Sequence, residues 1–189
     1  MTAPRIVAID PSLTRTGVCR PDGTTFDIAT KPDQFTHPMD RINHIATSAY
    51  RQGLDADLVV IEGAMMAARV GPETMFLHGL IRYLLRAADI PYVDIAGASR
   101  QKYACGSTTN RGKDAVLAAA IRAGSDCTGN DTADAFWLWR IAIDAYCKDP
   151  EDLPTYRREV LFRYSPWPRI NGHTPVWSLP PKPKKAKAA

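Results

Sequence analysis

The chain lacks any apolar run approaching the roughly 20 residues needed to cross a bilayer. Its start, MTAPRIVAID, passes into a strand pattern without the apolar stretch of a signal peptide, so a cytoplasmic protein is expected. Cysteine is scarce: Cys19, Cys105, Cys127 and Cys147 lie far apart with no C-x-x-C pair. That spacing argues against zinc ribbons and disulfide frameworks alike, and reduced thiols are expected. No internal repeat is visible. What is present is ordinary for a folded domain: 45% hydrophobic and 23% charged residues exclude disorder of the whole chain, and 189 residues suit one domain plus a tail.

The net charge of +4 is unevenly placed. Residues 151–189 hold eight Lys or Arg against three acids, so this segment carries +5 and residues 1–150 carry −1. We expect a domain over 1–150 and a basic, aromatic- and Pro-rich extension over 151–189, partly disordered, ending in the low-complexity run PPKPKKAKAA. Tyr156, Tyr164, Trp167 and Trp177 interleave with its basic residues. They can stack on bases or pack on the body.

Alternation and β-branched content mark strands over 5–9, 16–21 and 24–30, the last two joined by Asp22-Gly23, a strong hairpin signal. Thr36 is the expected cap of a helix with Pro38 in its first turn and Met39, Ile42, Ile45, Ala46 and Ala49 on its apolar face. DLVVIEG (57–63) reads as a central strand buried on both faces. A helix from Pro72 to about Ala88 has Met75, Leu80, Ile81, Leu84 and Leu85 as its expected buried stripe. A fifth strand over 90–97, a short helix near 99–104, a polar loop over 106–112 and a helix closing at Gly124 follow. The last helix begins near Asn130-Asp131 and turns Ala135, Phe136, Leu138, Trp139 and Ile143 inward. Three antiparallel strands followed by parallel α/β units in one mixed sheet match the ribonuclease H-like α/β architecture.

Two of these strands end in acids. Asp10 closes the first and Glu62 the fourth, and neighbouring strands would bring both to one sheet edge. Asp131 and Asp134 stand i, i+3 at the start of the last helix and so share a face. Singly, each has a plain explanation: Asp131 as a helix cap, Asp134 as a first-turn charge favoured by the macrodipole, Glu62 as a solvated strand end, Asp10 before Pro11 as a turn former. Jointly they describe four carboxylates meeting at one place. Such a cluster needs a counter-charge, and an all-oxygen donor set suits Mg²⁺ or Mn²⁺.

Three motifs in register carry a resemblance. RIVAIDPSLTRTGV is similar to the first motif of the RuvC family of Holliday junction resolvases, LVVIEGAMM to its second acidic strand and NDTADAFWLW to its closing helix. The match spans roughly residues 5–147. It implies a homodimeric endonuclease, active on four-way or otherwise branched DNA, that uses two Mg²⁺ ions per site with Mn²⁺ as substitute. It implies Asp10, Glu62, Asp131 and Asp134 as metal ligands and Lys113 as a catalytic cation, with Lys102 at an earlier basic position. Arg15, Lys102 and Arg111 are candidate phosphate contacts, and the helix from Pro72, with Met75, Phe76 and Leu80, is a candidate dimer face. The host would be a bacterium or a bacterium infected by a virus.

The pattern also departs from the family. Ser12 replaces the usual glycine after Asp-Pro, while Gly63 and Met65 stand where relatives often have Gln and an aromatic side chain. A Met wedge can still unstack a base step, which makes Met65 a DNA-contact candidate. Alternatives are a nuclease of this fold acting on forks, flaps or RNA-DNA hybrids, and a protein that binds branched DNA without cutting. Sugar kinases and actin-like ATPases share the fold, but need a second lobe and a later Gly-rich phosphate segment that this sequence lacks.

Overall fold

A computed structural model describes residues 3–63, 71–107 and 112–177, apart from the side chain of Lys113. The sheet has five strands: β1 (Ile6–Asp10), β2 (Arg15–Cys19), β3 (Thr25–Ala29), β4 (Leu58–Glu62) and β5 (Tyr92–Ile95). Their spatial order is β3-β2-β1-β4-β5. The first three strands pair antiparallel, and β1-β4 and β4-β5 pair parallel. This is the mixed, ribonuclease H-like sheet expected from the element order. Six helices accompany it among the described residues: α1 (Pro38–Gln52), α2 (Pro72–Ala87), α3 (Gly97–Cys105), α4 (Lys113–Arg122), α5 (Asn130–Cys147) and α6 (Thr155–Arg163).

The strand period of two sorts the core into two halves. Val7 and Ile9 with Val59 and Ile61 face α1 and α2, meeting Ile42, Ile45, Leu77, Ile81 and Leu85. Ile6 and Ala8 with Leu58 and Val60 face the opposite side, under α5 and its neighbours. Because β1 and β4 are interior strands, both of their faces are covered, which explains why IVAI and LVVI are apolar without alternation. The same parity decides where their terminal acids point. Asp10 follows Ile6 and Ala8, and Glu62 follows Leu58 and Val60, so both belong to the α5 face.

Local details differ from the sequence expectations where packing overrides periodicity. His37, not Thr36, caps α1: its Nδ1 accepts the Met39 N–H at 3.1 Å, and Met39 is 44% exposed rather than on the buried face. In α2 the fully buried positions are Leu77, His78, Ile81 and Leu85, while Met75, Leu80 and Leu84 are only partly covered and Phe76 and Tyr83 stand in solvent. Trp139 and Ile143 of α5 are likewise partly buried.

Residues 150–177 fold back on the α5 side of the sheet. Trp167 and Trp177 are buried, with indole N–H groups donating to the carbonyls of Leu161 and Lys148. Tyr146 Oη donates to Pro168 O at 2.7 Å, and Asn171 ties the segment to Asp57 beside β4. Trp167 and Trp177 of this basic stretch therefore pack on the body. No described helix is long and apolar enough to cross a membrane.

Candidate metal centre

The turn that leaves β1 is closed by its own side chains. Ser12 N–H donates to Thr16 Oγ1, and Thr16 Oγ1 donates back to Ser12 O at 2.8 Å. Left-handed backbone among the described non-glycine residues occurs only at Asp89 and Asn171, so Ser12 fits its position without the freedom of glycine. Behind the turn the buried Arg41 of α1 donates to Leu13 O and to Thr30, which fastens the loop after Asp10 to α1 and to the end of β3. The loop is thus held from two sides.

The parallel register pairs Ile9 with Ile61, so Asp10 and Glu62 leave the sheet side by side. Asp134 reaches the same point from α5, which lies across β1 and β2. That crossing is close because β2 carries Gly17 opposite Asp10: a Cβ at position 17 would sit 2.0 Å from Asp131 O. One carboxylate oxygen from each of Asp10, Glu62 and Asp134 lies within 4.8 Å of the others, an arrangement that can hold a metal ion. Burial, reinforced by the charge and hydrogen bonding of Glu62, raises the Asp10 carboxyl well above the usual carboxylate range.

Asp131 is close enough to add repulsion at Asp10, yet its carboxylate is not one of the three that converge. Sitting a turn earlier on α5, it lines a neighbouring cavity of about 390 Å³ together with Arg15, Asp27 and Asn130. Arg15 is there paired with Asp27.

Among the described side chains, the cation at the cluster is Arg100 of α3. Its Nη1 pairs with Asp134 Oδ1 and its Nη2 lies 3.2 Å from Glu62 Oε2, with only 12% of the side chain exposed. Lys102, which the resemblance put at an earlier basic position, pairs with Glu159 of α6 at 2.5 Å. Sequence reasoning missed Arg100: only with α3 docked, Tyr103 and Ala104 buried, does the cation three residues before Tyr103 turn to the acids. Gly97 admits α3 to the cluster, since a Cβ there would sit 2.6 Å from Glu62 Oε1.

Glu62 is also held through its backbone. Arg82 of α2 donates to Asp94 and to His78 O, and reaches Glu62 O at 3.4 Å. His78, buried against Arg82, is pushed down to about 4 by burial and then by the Arg82 charge, so it stays neutral at physiological pH. Lys113 opens α4, and Met65 and Arg111 lie outside the described residues.

No family model and no curated protein matches the chain. Solved structures do. A Thermus thermophilus RuvC structure superposes with a TM-score of 0.56 at 14% identity, over 74% of this chain and 94% of that one. The fold is that of RuvC. A second match, T. thermophilus RuvC in complex with Holliday junction substrate, gives a TM-score of 0.55 at 12% identity over 90% of this chain and 99% of that one. At such identities the likeness establishes the RuvC-like architecture, and the chemistry rests on the carboxylates themselves.

Whether those residues fit a divalent ion can be judged from the donor set. All three donors are carboxylates, with no nitrogen or sulfur ligand, which favours Mg²⁺ or Mn²⁺ over zinc. Glu62 Oε2 is buried and makes no geometric hydrogen bond among the described residues, its partner being the Arg100 charge at 3.2 Å, and a carboxylate oxygen matched only by a cation suits a metal ligand. The residues fit.

Proposed function

We propose that this RuvC-like chain is a Mg²⁺-dependent endonuclease that nicks four-way and related branched DNA. The observation that carries the reading is the convergence of Asp10, Glu62 and Asp134 from two interior strands and a crossing helix, on the edge of a sheet with this architecture. Asp10, Glu62 and Asp134 would hold two Mg²⁺ ions, with Asp131 as the fourth acid at the rim. When bound, the ions supply Lewis-acid stabilisation of the phosphoryl oxygens and a nucleophilic hydroxide at neutral pH.

The chain's own part is positional and electrostatic. Packed strands and α5 fix the carboxylates before substrate arrives, which limits reorganisation during reaction. The reaction is hydrolysis of one phosphodiester, with water attacking phosphorus in line and the 3′ oxygen leaving, to give 5′-phosphate and 3′-hydroxyl ends. Lys113, at the first position of α4, is the proposed catalytic cation. Arg15, Lys102 and Arg111 would contact backbone phosphates, so binding falls steeply with salt, and Met65 would press on the junction. Two symmetric cuts call for a two-fold homodimer, and the solvent-facing side of α2 with Phe76 and Tyr83 is its proposed face.

A panel of labelled substrates tests the assignment: a mobile four-way junction, a fork, a flap, a linear duplex and an RNA-DNA hybrid, each with Mg²⁺ or EDTA. Paired nicks in the junction, abolished by EDTA and by Asp10→Asn while junction binding persists, are expected. Cleavage of hybrid or flap with an intact junction would reassign the substrate, and binding without cleavage of any substrate would remove the enzyme.

A further inference from the structure

Three carboxylate oxygens within 4.8 Å repel one another, and the protein answers that repulsion with its own cation. Arg100 spans two of the three acids from α3, one nitrogen on Asp134 and the other on Glu62. We propose that Arg100 and a divalent ion compete for the same carboxylates, so that Arg100 is the resident counter-cation of the site and metal uptake requires it to withdraw. The inference rests on reading the triad as a metal site and is independent of which nucleic acid is cut.

The geometry carries it in three steps. The oxygens engaged are Glu62 Oε2 and Asp134 Oδ1, and both acids belong to the set that would ligate the ion. A Mg²⁺ or Mn²⁺ at about 2.1 Å from those carboxylates would bring its charge within a few ångströms of the guanidinium, and two cations that close in a half-buried site repel. The second step concerns the fork. Guanidinium nitrogens are fixed in a plane, and with Nη1 and Nη2 paired by charge to Asp134 and Glu62, both Nε and Nη1 are buried without a geometric hydrogen bond among the described residues. The fit is therefore incomplete, as expected of an occupant that can leave. Third, α3 is packed against α4, α5 and α6 and tied to α5 by the Tyr103–Asp144 hydrogen bond, so the side chain and not the helix has to move. A substrate phosphate would offer the released fork a bidentate partner.

Competition has a signature that structural damage does not share. Removing the fork should tighten metal binding, whereas disturbing the cluster should weaken it. The experiment is isothermal titration of Mn²⁺ into the full chain without DNA, for the wild type, R100Q and R100K, with D10N as the variant that loses a ligand. R100Q is expected to bind Mn²⁺ at least tenfold more tightly than the wild type, and R100K, which keeps the charge but not the fork, to lie between them. An R100Q affinity equal to or weaker than that of the wild type overturns the proposal. If R100Q fails to fold, R100K decides alone: tighter binding supports competition and equal or weaker binding refutes it. Tightened Mn²⁺ binding in a protein that cuts no DNA would leave this inference standing and remove the nuclease. Unchanged binding in one that resolves junctions would do the reverse.

Discussion

Gly17 is the point at which the site is most exposed to a single added methyl group. An alanine Cβ there would stand 2.0 Å from Asp131 O and 2.5 Å from Asp131 C, both backbone atoms that no rotamer change can move aside. An ordinary carbon-to-oxygen contact is about 3.3 Å, so the start of α5 would have to retreat by roughly 1.3 Å. Asp134 sits three residues further along the same helix and would travel with it, while Asp10 and Glu62 stay with the sheet. Overpacking of this kind costs about 1–3 kcal/mol, and a backbone clash belongs at the upper end. For a chain of this size, about 3 kcal/mol corresponds to a melting-temperature loss of about 6–12 °C. A displacement near 1 Å among reacting groups lowers rates by a factor on the order of 10². Thermal melts in EDTA, Mn²⁺ titration and junction cleavage should therefore all register Gly17→Ala. Removal of a glycine as such is controlled by Gly79→Ala, where a Cβ meets nothing within 4 Å and a mid-helix Ala should add about 0.5–1 kcal/mol of stability. A Gly17→Ala protein that melts within 2 °C of wild type and binds Mn²⁺ equally well would refute the close approach of α5 to β2.

Further outcomes follow from the same geometry. Asp10 has its folded carboxyl raised, so without metal its ionisation destabilises the fold, a penalty absent below the unfolded value and complete above the folded one. Asp10→Asn should therefore melt above wild type in EDTA near pH 8 and lose the Mn²⁺-induced gain, and a lower melting point would contradict this. Because the metal displaces a proton from Asp10, Mn²⁺ affinity should rise with pH through that raised value, with a proton released on binding that calorimetry in two buffers can count. His78 is lowered to about 4, so its stabilisation is present above its ordinary value near 6.5 and is lost as pH falls towards 4. Allowing for solvent screening this amounts to about 1–2 kcal/mol, and His78→Gln should flatten the stability profile between pH 6.5 and 4. Tyr103→Phe removes the 2.6 Å hydrogen bond to the buried Asp144, leaving Arg140 as its remaining partner, and should cost about 1–3 kcal/mol by denaturant unfolding without altering Mn²⁺ affinity.

The interior strands were legible because IVAI and LVVI are apolar without alternation, as covered strands are, and their parity together with the parallel register puts Asp10 and Glu62 on one face. The spacing of Asp131 and Asp134 correctly placed them on one helix, but i, i+3 spacing does not say which of the two reaches a point beyond the helix axis. That depends on where α5 crosses β2, which Gly17 sets. The α2 stripe and the Met39 face were misjudged for a related reason: helical spacing defines a stripe, and the neighbouring element decides which edge of it is covered. Arg100 stayed hidden behind a charged neighbour. In S-R-Q-K either cation looks solvent-facing until α3 docks, and only then does Lys102 meet Glu159 while Arg100 turns under. The aromatic residues after 150 kept two readings open in sequence, stacking platform or packing, and Trp167 and Trp177 are buried in the body.

The parallel pairing of β1 with β4 has a consequence for the growing polypeptide. Asp10 leaves the ribosome first of the three, its neighbour Glu62 some fifty residues later, and Asp134 only with the first turns of α5. A nascent or truncated chain that stops short of that helix has two acids on an uncovered face and no third, so the capacity to hold the ion appears late and all at once. For a polypeptide whose proposed reaction breaks DNA, hydrolytic competence would be withheld from every unfinished copy.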